Sequence, residues 1–99
     1  MFRLAIIIGS TRPHRNGEAV AKWIFDIARQ HRHTDAELVD IRDYHLPLLD
    51  EPQPASSGQY CHAHTRAWSE KIASFDGFVF VTPEYNHAPP AALKNALDY

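Results

Sequence analysis

A loop at positions 9–17, GSTRPHRNG, carries the side chains best suited to binding an anion. It follows an apolar run and precedes a helical pattern, so free backbone amides are expected beside the hydroxyls of Ser10 and Thr11 and the guanidinium groups of Arg12 and Arg15. Arginine offers fixed donors that match phosphate oxygens in pairs. The loop is therefore a candidate phosphate site, and the alternative is a polar surface turn with solvated arginines.

The same loop lacks the motifs of several other sites. It contains neither G-x-G-x-x-G nor G-x-x-x-x-G-K-[ST], which argues against a dinucleotide Rossmann site and a P-loop triphosphatase. No G-x-S-x-G sequence surrounds Ser10, so this serine is not expected to be a nucleophile.

A second loop, at positions 82–90, combines rigid and aromatic residues. Prolines, including Pro83, restrict its backbone, Tyr85 offers a flat face, and Asn86 offers both a donor and an acceptor. These groups would suit a planar heteroaromatic ring. Taken alone, the stretch is equally compatible with a structural turn.

Seven histidines and a single cysteine raise the question of a metal site. His62 and His64 follow Cys61, but two residues two positions apart on a helix point about 200° apart and cannot chelate one ion, although in a strand or loop they could. The ligand spacing of known zinc motifs is also missing, so no metal site is predicted. Cys61 lacks an evident orienting group, so it is not expected to be catalytic.

The length and charge of the chain predict how many domains it forms and which partners it is not expected to bind. The chain has 99 residues and a mass of 11.3 kDa, which predicts one domain over residues 1–99. A lone cysteine forms no internal disulfide and favours a reducing, cytoplasmic setting. The net charge of −2 argues against nucleic acid as a partner, and no segment has the length of a membrane span. Residues 1–34 hold six basic and two acidic groups, so an anion should bind there.

The hydrophobic pattern predicts the strands and helices that position the two loops. Continuous apolar runs predict buried strands, and apolar residues three and four apart predict helices. Trp23, Trp68 and Phe75 are expected in the core, and Asn16 is a candidate helix cap. The predicted order is a strand at 4–8, a helix at about 17–31, a strand at 37–41, a loop at 43–60, a helix from 62 or 65 to 75, a strand at 78–81 and a helix at 91–98.

Alternation of strands and helices predicts an α/β fold with a parallel sheet. Ligands of such sheets bind beyond the carboxyl ends of the strands, so both candidate loops should open on the same side. Asp40 interrupts the second strand and suits a sheet edge, whereas Phe78–Val81 is apolar on both faces and suits the centre, although no further strand is available to pair with it.

Three segments of the chain together resemble the NAD(P)H-dependent FMN reductases, which have a flavodoxin-like fold and include quinone, azo-dye and chromate reductases. The segments are GSTRPHRNG at 9–17, LVDIRDYHLPLLDE at 38–51 and FDGFVFVTPEYNHAPPAALKNALDY at 75–99. The resemblance implies that Ser10, Thr11, Arg12 and the loop through Arg15 and Asn16 hold the FMN phosphate. It also implies which residues line the isoalloxazine ring, namely Pro83, Glu84, Tyr85 and Asn86.

The resemblance further implies a doubly wound sheet with strand order 2-1-3 and NADPH or NADH as co-substrate. Reduced flavin would pass electrons to a quinone-like or other small acceptor, in a homodimer or homotetramer. Members of the family continue into two more strands, so the chain is expected to be the N-terminal portion of the domain. Two alternatives are a flavodoxin-type electron carrier and an incomplete fragment that holds no flavin alone.

Overall fold

The computed structural model describes all 99 residues. Three strands alternate with three helices in the predicted order. None of the helices combines the length and hydropathy needed to cross a membrane. The strands are β1 (Phe2–Ile8), β2 (Thr34–Asp40) and β3 (Gly77–Val81), the helices are α1 (Gly17–Ala28), α2 (Ala63–Ala73) and α3 (Ala91–Asp98), and two short 3-10 helices, Ile41–Tyr44 and Ala55–Ser57, lie in the long connection before α2.

The strands form one parallel sheet in the order β2-β1-β3, which confirms the predicted fold class and strand order. β1 is central, and its last residue, Ile8, pairs with Asp40 of β2 and with Val81 of β3. The carboxyl ends of all three strands therefore meet at one edge of the sheet. Both candidate loops begin at this edge, because one follows β1 and the other follows β3.

The core has two layers because β1 is apolar on both faces. Ala5 and Ile7 belong to a cluster with residues of α2 and α3, whereas Ile6 and Ile8 belong to a cluster with residues of α1. All four side chains are at most 4% exposed. Helices thus cover both faces of the central strand, as expected for a doubly wound sheet.

β2 and β3 are the edges of this three-stranded sheet. The edge position of β2 agrees with the polar Asp40 in its sequence. β3 has an edge that pairs with no other residue of the chain, and its Phe78 and Phe80 are 39% and 43% exposed. They line an open apolar cavity of about 400 Å³ together with Trp68 and Leu97.

The prediction that Trp23 is a core residue is wrong, because its side chain is 65% exposed. α1 instead packs on the sheet through Ala21 and Ala28, whose small side chains allow close approach, with Ile24 partly buried beside them. Two apolar stripes run along this helix, and periodicity alone does not show which one faces the sheet. Trp68 and Phe75 are buried as predicted.

Trp68 is expected to be the costliest aromatic side chain to remove. Its indole N–H donates to the carbonyl of Ala96 at 3.1 Å, and its ring lies edge-on to Tyr44 with centroids 5.0 Å apart. Trp68→Ala should lower the free energy of unfolding by about 3–5 kcal/mol, measured by urea denaturation. Trp23→Ala is the matched control and should change it by less than about 0.5 kcal/mol. Equal losses for the two variants would contradict this view of the core.

Candidate functional site

The loop after β1 is held against β3 and α3 at its first residue. The amide of Gly9 donates to the carbonyl of Val81 at 2.9 Å. A Cβ atom at Gly9 would lie 3.1 Å from that oxygen and 3.2 Å from a methyl group of Leu93. A side chain at Gly9 would push these neighbours away by a few tenths of an ångström, so glycine favours the close approach of the three elements at the carboxyl edge of the sheet.

The backbone of this loop presents unused hydrogen-bond donors. The hydroxyl of the buried Ser10 accepts from the amide of Arg12 at 3.2 Å, whereas the amides of Thr11 and His14 donate to no protein acceptor. His14 has a left-handed backbone, with φ of 55°. Unpaired amides beside a helix start attract anions.

Asn16 precedes α1, but its side chain makes no capping hydrogen bond. Its backbone is already helical, with φ −81° and ψ −22°, and a cap of the usual kind needs extended backbone there. The predicted capping role is therefore wrong. Asn16 lines the cleft after β1.

Arg15 faces the protein interior. Its side chain is only 3% exposed, and it forms a two-pronged ion pair with Asp40, with Nη1 at 2.9 Å from Oδ1. The same Nη1 donates to the carbonyl of Ser10 at 2.5 Å, and Glu18 lies 3.6 Å away. Arg15 thus ties the loop to the end of β2.

The charges of this ion pair shift both pKa values. Burial disfavours the charged form of Asp40, but hydrogen bonds from the Arg15 side chain and the Arg42 amide outweigh it and lower its pKa. The hydrogen bond to Asp40 raises the pKa of Arg15, although burial of the guanidinium group opposes this shift. Both groups are charged at neutral pH, so Arg15 brings no net positive charge to a ligand.

Arg12 differs from Arg15 in every respect that matters for an anion. It is exposed, forms no ion pair, and lines the cleft between the two loops. Its guanidinium group is therefore free to contact a phosphate. Among the predicted residues it is the one available cation at this edge of the sheet.

The second loop forms a tight turn over Tyr85–Ala88. The amide of each of these two residues donates to the carbonyl of the other, at 3.0 and 3.2 Å. Both central residues, Asn86 and His87, have positive φ, of 55° and 67°, as in a type I′ turn. The Glu84 carboxylate accepts from the His87 amide, so its side chain stabilises the turn.

The two loops open on a shared cleft of about 630 Å³. This volume lies within the usual range of small-ligand sites, about 300–1000 Å³. Thr11 lines a smaller adjoining cavity of about 390 Å³, and Glu84 and Asn86 line neither. The predicted residues that line the shared cleft are Ser10, Arg12, Arg15, Asn16, Pro83 and Tyr85.

The sequence did not predict several of the lining residues, which include Gly17 and Val20 of α1, the end of β3 and the start of α3. Val81 and Thr82 lie in the cleft because β3 ends beside the first loop. Ala91 and Ala92 reach the adjoining cavity because α3 begins at the same edge. The Pro89-Pro90 pair marks the start of α3 in the sequence, but small alanines gave no chemical signal.

Glu51 lies outside the cleft and holds the start of α2. Its carboxylate accepts from the Thr65 hydroxyl at 2.6 Å and from the amides of Cys61 and His62 at 2.8 and 3.1 Å. Desolvation opposes ionisation, but these donors outweigh it and lower the pKa of Glu51 from 4.5 to about 2. The ionised form therefore stabilises the fold.

A pH dependence follows from Glu51. Because its folded pKa lies below the unfolded value, the stabilisation is complete above pH 4.5 and is lost as pH falls towards 2. Melting temperatures measured from neutral pH down to about pH 2.5 should fall more steeply for the native protein than for Glu51→Gln. Glu70→Gln, at an exposed position without an ion pair, is the control and should keep the native slope. A Glu51→Gln curve parallel to the native one would contradict the assignment.

The open parallel sheet, the amide-rich loop after β1 and the aromatic turn after β3 are an arrangement typical of nucleotide-binding α/β domains. Comparison with known proteins then gives the family. The family model described as NADPH-dependent FMN reductase matches residues 2–99. The chain belongs to the NADPH-dependent FMN reductase family.

Individual relatives agree with this assignment. An NAD(P)H-dependent FMN reductase of Schizosaccharomyces pombe is 43% identical over 99 residues, covering 98% of this chain and 50% of that protein. A 2-hydroxy-1,4-benzoquinone reductase of Burkholderia sp is 33% identical over 98 residues, covering 99% and 49%. The chain therefore spans about half the length of the curated relatives it matches.

A solved structure confirms that the fold is flavodoxin-like. FerB, a flavoenzyme NAD(P)H:(acceptor) oxidoreductase from Paracoccus denitrificans, superposes with a TM-score of 0.74 at 23% identity. The match covers 99% of this chain and 50% of FerB. At this identity the likeness concerns the arrangement of strands and helices.

Proposed function

We propose that the protein bearing this chain is an FMN-dependent NAD(P)H oxidoreductase that passes electrons from nicotinamide to a quinone-like or other small acceptor. The observation that carries this proposal is the shared cleft, where a phosphate-suited loop and an aromatic turn leave adjacent parallel strands at the same edge. Membership of the FMN reductase family supports the choice of cofactor.

In this proposal the two loops would bind different parts of FMN, one at each end of the cleft. The free amides of the first loop and the Arg12 guanidinium group would hold the FMN phosphate, with Ser10 ordering the loop beneath them. Pro83 and Tyr85 would line the flavin ring. Bound FMN supplies the electron-transfer chemistry, so no acid, base or nucleophile is assigned to the chain.

Arg15, Glu84 and Asn86 take other roles in this proposal. Arg15 positions the phosphate loop through Asp40, and Glu84 shapes the turn that presents Tyr85. Asn86 is a turn residue whose backbone, with positive φ, sets the direction of the chain. Contacts of Glu84 and Asn86 with the flavin would run through backbone groups.

A quinone is the proposed acceptor because relatives of this chain are named as quinone reductases. The relatives named for NAD(P)H support a nicotinamide as donor. A homodimer or homotetramer and a cytoplasmic location stay predictions from the sequence.

The proposal is tested on the full-length protein. Purified protein should carry FMN, and NADH or NADPH should be oxidised steadily when a benzoquinone is added. Oxidation should stop when FMN is removed and return when it is restored. Failure of the FMN-loaded protein to oxidise either nicotinamide would refute the proposed activity.

The same measurements separate the two alternatives. A flavodoxin-type carrier would bind FMN but give no turnover of nicotinamide. An incomplete fragment would be colourless as residues 1–99, whereas the longer protein would be yellow with bound flavin. FMN bound only by the longer protein would show that segments outside these 99 residues complete the site.

A further inference from the structure

A cluster of metal-ligating side chains lies apart from the cleft, where residues 50–51 meet the start of α2. A carboxylate oxygen of Glu51, the sulfur of Cys61 and a ring nitrogen of His62 all lie within 4.8 Å of one another. Ligands bound to zinc at about 2.0–2.3 Å in a tetrahedron are roughly 3.3–3.8 Å apart. A contraction of about 1 Å would therefore bring the three donors onto one ion.

The geometry differs from the helical one that the sequence suggested. His62 precedes α2 with extended backbone, φ −104° and ψ 142°, so the 200° divergence expected on a helix does not apply to His62 and His64. Their rings stack at 5.0 Å with planes 11° apart. Both rings face Asp50, with Nε2 of His64 3.0 Å from its carboxylate.

The surroundings of His62 resemble those of a metal-ligating histidine. Its Nε2 lies 3.2 Å from the backbone carbonyl of Asp50, which only accepts hydrogen bonds, so Nε2 carries the proton. In that tautomer Nδ1 keeps a free lone pair. Histidines that bind metals usually donate their second N–H to a carbonyl or carboxylate in this way.

Hydrogen bonds hold the Glu51 carboxylate in a fixed orientation. A carboxylate offers about four lone-pair positions, and three hydrogen bonds from Thr65, Cys61 and His62 use three of them. The Cys61 thiol hydrogen-bonds to the same carboxylate, so an ion that displaces the thiol proton would take this fourth position. Because the three donors come from α2 and the residues before it, the carboxylate is already held beside Cys61 and His62.

We propose that Glu51, Cys61 and His62 form a zinc site, with water as the fourth ligand. Sulfur, imidazole and carboxylate are the donor set that Zn²⁺ takes in proteins. Zinc binding would displace the thiol proton of Cys61 to solvent, with no change in oxidation state. The ion would link residue 51 to residues 61 and 62 and so stabilise the long connection before α2.

The test uses Co²⁺ and Zn²⁺ as the probes, on the reduced full-length protein. Co²⁺ difference spectra should show a thiolate-to-cobalt charge-transfer band that saturates at one equivalent and disappears when Zn²⁺ is added. Absence of that band at millimolar Co²⁺ would overturn the proposal. This measurement needs only the native protein, so it does not depend on the folding of any variant.

Variants then locate the ion. Cys61 is exposed, so Cys61→Ser should fold normally and lose both the band and any rise in melting temperature with Zn²⁺. His62→Gln should weaken Co²⁺ binding at least about tenfold. His33→Gln, at an exposed histidine outside the cluster, should bind as the native protein does. Equal Zn²⁺ stabilisation of the native and Cys61→Ser proteins would also overturn the proposal, and either failure leaves the proposed flavin chemistry untouched.

Discussion

Arg12→Ala is expected to weaken FMN binding about 10- to 100-fold. A hydrogen bond to a charged group contributes about 1.5–3 kcal/mol, and each 1.4 kcal/mol is about a factor of ten in affinity. Arg12 is the exposed, unpaired cation of the phosphate loop, so its loss is not offset by a neighbour. Titration of the apoprotein with FMN, followed by flavin fluorescence, measures the change.

Riboflavin, which lacks the phosphate, makes this test specific. The native protein should prefer FMN to riboflavin, and Arg12→Ala should lose most of that preference while binding riboflavin as before. Arg29→Ala removes an exposed arginine just after α1 and should leave both affinities unchanged. Equal weakening of FMN and riboflavin by Arg12→Ala would place Arg12 in the ring site or in folding, not at the phosphate.

Asp40→Ala should be the most destabilising change at the edge of the sheet. It would leave the guanidinium group of Arg15 almost fully buried without its main partner. Breaking a buried ion pair on one side costs about 3–5 kcal/mol, and the lower end is expected because Glu18 still lies 3.6 Å from Arg15. Urea denaturation of the apoprotein measures the loss.

A double variant shows whether the lost stability comes from the unpaired charge of Arg15 or from other effects of replacing Asp40. Replacing both partners, as Arg15→Met with Asp40→Leu, removes the unpaired charge and should recover much of the stability. FMN affinity should remain reduced in it, because the loop is no longer tied to β2. Exposed Asp26→Ala is the control for loss of a carboxylate. A double variant no more stable than Asp40→Ala would contradict this account.

The sequence predicted the elements and their order because each rests on local patterning. Apolar runs marked β1 and β3, and the alternation of strands and helices then required a parallel sheet with both loops at one edge. The order 2-1-3 came from the resemblance to the family. The shared cleft follows from that topology, so its location was predictable before any side chain was placed.

The partner of Arg15 was not predictable, because it depends on strand register. Arg15 looked equivalent to Arg12 in the sequence, yet the pairing of Ile8 with Asp40 brings a carboxylate beside the loop. A shift of β2 by one residue would have turned that carboxylate to the other face of the sheet. Local sequence carries no information about such a pairing.

The conformation of the turn after β3 was not predictable from the sequence for a different reason. Type I′ turns are usually marked by glycine, because both central residues need positive φ. Here Asn86 and His87 take those positions, so the sequence did not reveal that the Glu84 side chain would stabilise the backbone. The backbone conformation of this turn decides which side chains of the loop face the cleft, so the sequence alone did not show which ones do.

The position of β1 at the centre of the sheet should also protect it from local unfolding. Its amides are bonded to two strands, whereas one side of β3 meets no other residue of the chain. Hydrogen exchange should therefore be slow at Ile6 and Ile7, because exposing the amides of β1 requires both of its ladders to break. The phosphate loop follows β1 directly, so it should keep its shape during fluctuations that break only one of these two ladders.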